Sequence, residues 1–204
     1  MSFNNNAIIQ LNAIQELNNS MARTRTEIDS QKKREEIINA ARFLILSEGY
    51  EATGMTRIAQ QAGVAPNTLY WYFKDKDELL LVILDELVNE ALHEYFNLHG
   101  QPLEQQILWL LTKFDAVPNI ITTVHARMNI SQTIQDWHQR FHFMLESLMV
   151  NQLILKGLEL DEAIAASKIT MFVIEGLLSH HAGDTSERGD VAKFLVSRIT
   201  QNQS

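Results

Sequence analysis

Apolar residues recur at spacings of three and four along most of the chain, in runs broken by glycine, proline and capping residues. Ile37, Ala41, Leu44 and Ile45 share one helical face, which predicts a first helix from about Gln31 to Ser47 with Ser30 as its cap and Gly49 as its stop. Two short helices are expected next, Met55–Ala62 and Pro66–Tyr72, joined at Gly63, where a left-handed backbone permits a tight turn. Ile58, Ala59, Val64 and Leu69 plug the angle between them, and the small Ala59 lets the crossing helices come close. Pro66 sits at the first helical position, where its missing N–H costs nothing.

The run Asp75-Lys76-Asp77-Glu78 has the spacing of a capping box ahead of LLLVILDEL, so a long fourth helix starts near Lys76 and reaches about Asn97. Gly100 and Pro102 break it. Further helices are expected at Leu103–Asp115, Pro118–Met128, Ser131–Lys156, Asp161–His181 and Glu187–Gln201, with Gly157 and the Gly183–Ser186 turn separating the last three.

Composition agrees with an all-α fold. Of 204 residues, 46% are hydrophobic, with only three prolines and eight glycines to interrupt helices. No run approaches the roughly 20 apolar residues that span a bilayer, and the first residues lack the pattern of a secretory leader, so a cytoplasmic protein is expected. The absence of cysteine removes thiol chemistry and disulfides. The net charge of −8 is unevenly spread: residues 21–80 hold nine Lys/Arg against nine Asp/Glu, leaving eight against sixteen elsewhere. Phosphate binding by the first third is therefore electrostatically open, through Arg23, Arg25, Lys32, Lys33, Arg34, Arg57, Lys74 and Lys76. Residues 1–20 are Asn-rich and read as a frayed extension, with Met21 resembling an ordinary start; Arg23 and Arg25 could otherwise form an arm that reaches a DNA groove.

The chemistry concentrates in MTRIAQQAGVAPNTLYWYFKDKDELL, residues 55–80. Leu69 and Phe73 lie four apart and point inward, which leaves Asn67, Thr68, Tyr70, Trp71 and Tyr72 on faces able to reach a duplex, although Trp71 and Tyr72 could instead bridge to the first and fourth helices. The pattern T-x-x-x-I-A-x-x-A-G-V-x-x-x-T-L-Y-x-Y-F-x-x-K-x-x-L, from Thr53 to Leu79, resembles the N-terminal signature of the TetR family of transcriptional regulators. That resemblance covers about 50 residues when the first helix and its Gly49-Tyr50 exit are included. It implies a three-helix helix-turn-helix DNA-binding bundle over residues 30–75, after an N-terminal extension at 1–29. It also implies an effector-binding and dimerisation domain over 76–204, joined to that bundle by the long fourth helix.

The resemblance places the recognition helix on Pro66–Tyr72, a phosphate-binding tyrosine at Tyr70, the helix-four lysine at Lys76, and backbone contacts at Thr56 and Arg57. Helix N-termini favour phosphate independently, and Asn67 can pair with an adenine edge while Pro66, Thr68 and Trp71 meet thymine methyls. No arginine lies on this face, so bidentate guanine readout is not expected, and DNA shape carries part of the specificity. Gly54 and Ala65 stand where family members often carry hydroxyl residues, so those caps and contacts do not transfer.

Downstream, the resemblance implies an inducer cavity for a largely apolar molecule. Candidate lining residues are Trp109, His125, Met128, Phe141, His142 and Phe172, although such a stripe is also what a packed core looks like. It further implies a homodimer through the last two helices, with Ile164, Ile169, Phe172, Val173 and Leu177 facing Val191, Phe194, Leu195 and Ile199. The expected activity is repression at a near-palindromic operator, relieved by a small-molecule effector, without cofactor or metal and without catalysis. Two other readings stay open: a DNA-binding dimer without a ligand, and a metal-assisted hydrolase. The hydrolase would use His138 and His142, four apart, with Asp136, His180 and His181 as further ligands.

Overall fold

The computed structural model describes residues 27–98, 100–179 and 185–200, and these form nine helices with no strand among them. The elements are α1 (27–48), α2 (Met55–Gln61), α3 (Pro66–Tyr72), α4 (Lys76–Phe96), α5 (Leu103–Asp115), α6 (Pro118–Met128), α7 (Gln132–Leu155), α8 (Leu160–Ser179) and α9 (Thr185–Thr200). The extension at 1–20, Arg23, Arg25, His180 and His181 lie outside the described residues.

The chain is already helical at residue 27, four residues before the expected Gln31. Ser30 is inside the helix and not its cap; its hydroxyl meets the Tyr72 hydroxyl at 3.2 Å. The α2–α3 turn is closed as its glycine predicts: Gly63 adopts φ 67°, its N–H reaches the Gln60 carbonyl at 3.1 Å, and the Val64 N–H reaches Ala59 at 2.9 Å. Those two bonds satisfy carbonyls that the end of α2 would leave unpaired. At α4, the Asp75 carboxylate accepts from the Glu78 N–H at 2.9 Å. The Glu78 carboxylate reaches back one residue further than a simple capping box and accepts from the Lys74 N–H at 2.6 Å.

Two cores result. The first contains Ile37, Leu44, Ile45, Ile58, Leu69, Phe73, Leu79, Leu80 and Ile83, and it continues into Ile120 and Val124 of α6 and Ile134 and Trp137 of α7. Each such side chain contributes about 1.5–3 kcal/mol through burial, enough in sum to hold two seven-residue helices that would not form alone. The second core joins Leu103, Ile107 and Leu111 of α5 to Leu153 of α7, Ala163, Met171 and Ile174 of α8, and Ala192 of α9. Among the described residues no single helix is long and apolar enough to cross a membrane; α5 and α6 together pass that test by length and composition, but they are bent by 79° and their buried residues belong to these cores.

Candidate nucleic-acid interface and effector cavity

Leu69 is fully buried and Phe73 is 1% exposed, so α3 is pinned by one face. Its other face carries Pro66 and Asn67, both exposed, Tyr70 at 53% and Trp71 at 75% exposure. Thr68 is half-buried beside them. Among the described residues the Trp71 ring meets Tyr72 edge-on, at 4.7 Å between ring centroids, and most of its surface is left to solvent. Tyr72 turns the other way: it packs on the first core and its hydroxyl meets Ser30, so it fastens α3 to α1 instead of facing outward.

Thr56 and Arg57 are exposed on the first turn of α2, whose N-cap, Gly54, offers no side-chain acceptor. Arg57 is held by Glu48 through hydrogen bonds of 2.9 and 2.5 Å. An exposed pair of this kind is weakened by solvent screening, so a phosphate can displace the carboxylate. Ala65 likewise leaves α3 uncapped by any side chain. Lys76 departs from the expected outward posture: its ammonium donates to the Tyr50 carbonyl at 2.6 Å and lies 3.8 Å from the Tyr50 ring centroid, and burial pushes its pKa down. One of three ammonium donors is thereby committed, and two stay available at a half-exposed site.

Residues 37–83 match the family model for bacterial regulatory proteins of the tetR family. The fatty acid metabolism regulator protein of Bacillus subtilis is 40% identical over 55 residues, 27% of this chain and 28% of that protein. The regulator TtgR of Pseudomonas putida is 38% identical over 63 residues, 31% of this chain and 30% of its own length. The chain thus matches under a third of the length of these two relatives. A solved transcriptional regulator from Rhodococcus sp. Rha1 shares the fold over 83% of this chain and 96% of its own, with a TM-score of 0.69 and 16% identity.

The chain carries a TetR-family DNA-binding domain. Its relatives are transcriptional regulators and not enzymes. No group of three or more His, Asp or Glu side chains among the described residues is arranged to hold a metal ion, and Asp136 is bonded to Gln132 at 2.8 Å. Among the described residues the hydrolase reading therefore has no metal site, and the relatives named above are regulators.

Beyond the TetR-type domain, a cavity of about 340 Å³ lies between the two cores. Trp109, His125, Phe141 and His142 line it, together with Leu84, Val88, Tyr95, Ile121, Trp137, His138 and Glu175. Two expected lining residues do not: Met128 packs on the first core, and Phe172 is 72% exposed on the outer side of α8. Helix α8 is apolar on two sides, so its spacing cannot say which side faces in. Within the cavity, Phe141 stacks on Trp137 at 5.1 Å, and the His142 and His138 Nε2 atoms lie 3.0 Å apart. Burial pushes His138 down to about 4, reinforced by His142 and His125.

A polar cluster between the cavity and the DNA-binding domain escaped sequence reasoning. Arg127, at the end of α6, donates to Asp77 Oδ2 at 2.6 Å, and the Tyr50 hydroxyl donates to Asp77 Oδ1 at 2.5 Å. Burial alone would raise the Asp77 pKa, but hydrogen bonds from Arg127, Tyr50 and Ser131 outweigh it and hold the carboxyl below its ordinary value. Arg127 and Tyr50 lie 50 and 27 positions from Asp77, too far apart for any local pattern to pair them.

Proposed function

We propose that this chain is a homodimeric, sequence-specific transcriptional repressor that leaves a near-palindromic operator when a largely apolar small molecule enters the cavity. The observation that carries the reading is the outward presentation of Asn67, Tyr70 and Trp71 on a helix immobilised by the buried Leu69 and Phe73. Two such helices, related by a two-fold axis, would enter successive major grooves about one helical turn apart. Asn67 would read an adenine edge, Pro66, Thr68 and Trp71 would meet thymine methyls, and Thr56, Arg57, Tyr70 and Lys76 would hold phosphates.

Dimerisation is supported by large apolar side chains left exposed to solvent: Ile169 at 55% and Phe172 at 72% exposure on α8, and Phe194 at 61% on α9. These belong to the two stripes expected to meet a second copy, and exposed apolar side chains of this size are what such an interface would cover. Leu177 and Ile199, from the same stripes, pack inward on the second core and stabilise the platform.

Release follows from the path between cavity and recognition helix. Val124 and His125 of α6 line the cavity, while Arg127, on the next turn, grips Asp77 at the start of α4 and with it Tyr50 at the exit of α1. The Arg127 Nε makes no hydrogen bond within the described chain, so the grip on Asp77 is carried by the guanidinium's terminal nitrogen. An effector that fits better when α6 is displaced would shift the population toward a dimer whose α3 helices no longer match the groove spacing. The empty volume argues against the ligand-free reading, because a merely dimerising domain gains stability by filling such a space. The test is footprinting on DNA flanking the protein's own gene. Two protected half-sites about one turn apart support the reading, and uniform protection or none at low salt overturns it.

A further inference from the structure

The cavity wall is mostly apolar, and its charges are unequally matched. Three carboxylates line it, those of Glu90, Glu94 and Glu175. Arg42 grips Glu90 through hydrogen bonds of 2.5 and 2.6 Å, and Lys113, the cation of the wall, pairs with Glu94. Among the described residues Glu175 pairs with no Lys or Arg, and its side chain is 38% exposed. It faces His142 Nε2 at 3.3 Å, a group that is charged only when protonated. That one ring nitrogen is also 3.0 Å from His138 Nε2. If it carries a hydrogen, the hydrogen is shared between Glu175 and His138; if it carries a lone pair, Glu175 receives nothing from it. A carboxylate can accept about four hydrogen bonds, so Glu175 is left with most of its capacity open. His138, held neutral at pH 7 by its lowered pKa, supplies no balancing charge.

We propose that the effector is a lipophilic cation, of the class of hydrophobic amines, whose charged nitrogen rests on Glu175 and whose apolar body lies against Trp109, Phe141 and Trp137. This rests on the cavity being the effector site. Aromatic faces favour a cation over an anion, and the wall already accommodates one, since the Lys113 ammonium lies 5.6 Å from the Trp109 ring centroid. A fatty acid of equal size would set its carboxylate against Glu175, with the wall's lysine already engaged by Glu94. The name of the Bacillus subtilis relative does not bear on this choice, because the match to it spans 55 residues whereas the cavity is lined from Leu84 onward, almost wholly beyond the family-model match at 37–83.

Titration of the full-length protein at pH 7 with octylamine, 1-octanol and octanoate, followed by calorimetry and tryptophan fluorescence, tests the assignment. Octylamine should bind at least about tenfold tighter than octanoate. Glu175→Gln should bring the two within about threefold while leaving 1-octanol binding unchanged, which also shows that the variant is folded. Octanoate binding as tightly as octylamine, or an amine preference that survives in Glu175→Gln, overturns the charge assignment and leaves the effector site standing. If none of the three binds, the cavity is no effector site, and both the inference and the reading beneath it fall.

Discussion

The two cores of this molecule solve different problems. Around α2 and α3 the side chains of Ile58, Ala59, Leu69 and Phe73 are at most 1% exposed, and the segment shares 38–40% identity with relatives over alignments that cover under a third of their lengths. Around α5, α7 and α8 space is left between the helices, and the fold as a whole is shared with the Rhodococcus regulator at 16% identity. A DNA-reading helix must hold its orientation within narrow limits, which requires a filled core beneath it. A cavity that accepts a ligand must leave burial incomplete, so many sequences can build it.

The same kind of truncation should therefore have opposite outcomes on the two sides. Leu69→Ala should cost about 3 kcal/mol and abolish DNA binding, because it opens a void directly beneath the recognition helix. Phe141→Leu, at a wall that already borders empty volume, should cost less than about 1.5 kcal/mol and leave DNA binding intact while changing effector response. Urea unfolding and fluorescence anisotropy on the footprinted operator measure both. Equal costs would mean that the cavity residues are as tightly constrained as the platform.

Arg127→Ala sharpens the comparison by cutting the link between the regions. Removing one partner of a half-buried pair leaves Asp77 with Tyr50 and Ser131, and about 2 kcal/mol of stability should be lost. The informative readout is the shift in operator affinity on adding effector, which should shrink at least about tenfold if α6 transmits the signal through this contact. An unchanged shift would place the coupling elsewhere.

How much was readable follows from the range of each interaction. Gly63, Pro66, Leu69 and the Asp75 cap are decided within a turn or two of chain, and the recognition helix emerged with the bounds Pro66–Tyr72 that its pattern predicts. Tyr72 was ambiguous because its anchor, Ser30, lies 42 positions away. Lys76 was read as free because nothing local shows that the Tyr50 carbonyl, 26 positions back, lies within its reach. Phe172 was misplaced for another reason: Met171 and Ile174 face the second core while Ile169 and Phe172 face outward, and a helix with two apolar sides gives periodicity no single answer.

On the DNA side, smaller effects should separate base reading from phosphate holding. Asn67→Ala should flatten base preference at one position of each half-site by about 1–2 kcal/mol without altering salt dependence. Tyr70→Phe should weaken binding alike on all operator variants, and Lys76→Ala should also lower the slope of log affinity against log salt by about 1. An unaltered slope in Lys76→Ala would confine that residue to its internal bond with Tyr50.

Acid should weaken one core before the other, and the sign is fixed by His138. Its folded-state pKa is pushed from 6.5 to about 4, so between those values the unfolded chain binds a proton that the folded chain refuses. Stability is then present in full above pH 6.5 and is lost as pH falls toward 4. All seven histidines lie after residue 92, so the platform built from α1–α3 has none that titrates in this window. The Asp77 carboxyl, held below its ordinary value, belongs to a lower one. Hydrogen exchange at pH 5 should accordingly show amides of α6 and α7 near His125 and His138 losing protection relative to pH 7, while those of α2 and α3 keep theirs. His138→Asn should abolish most of that difference. If α2 and α3 open in step with α7, the two cores unfold as one cooperative unit, and the division of labour between them resides in packing alone.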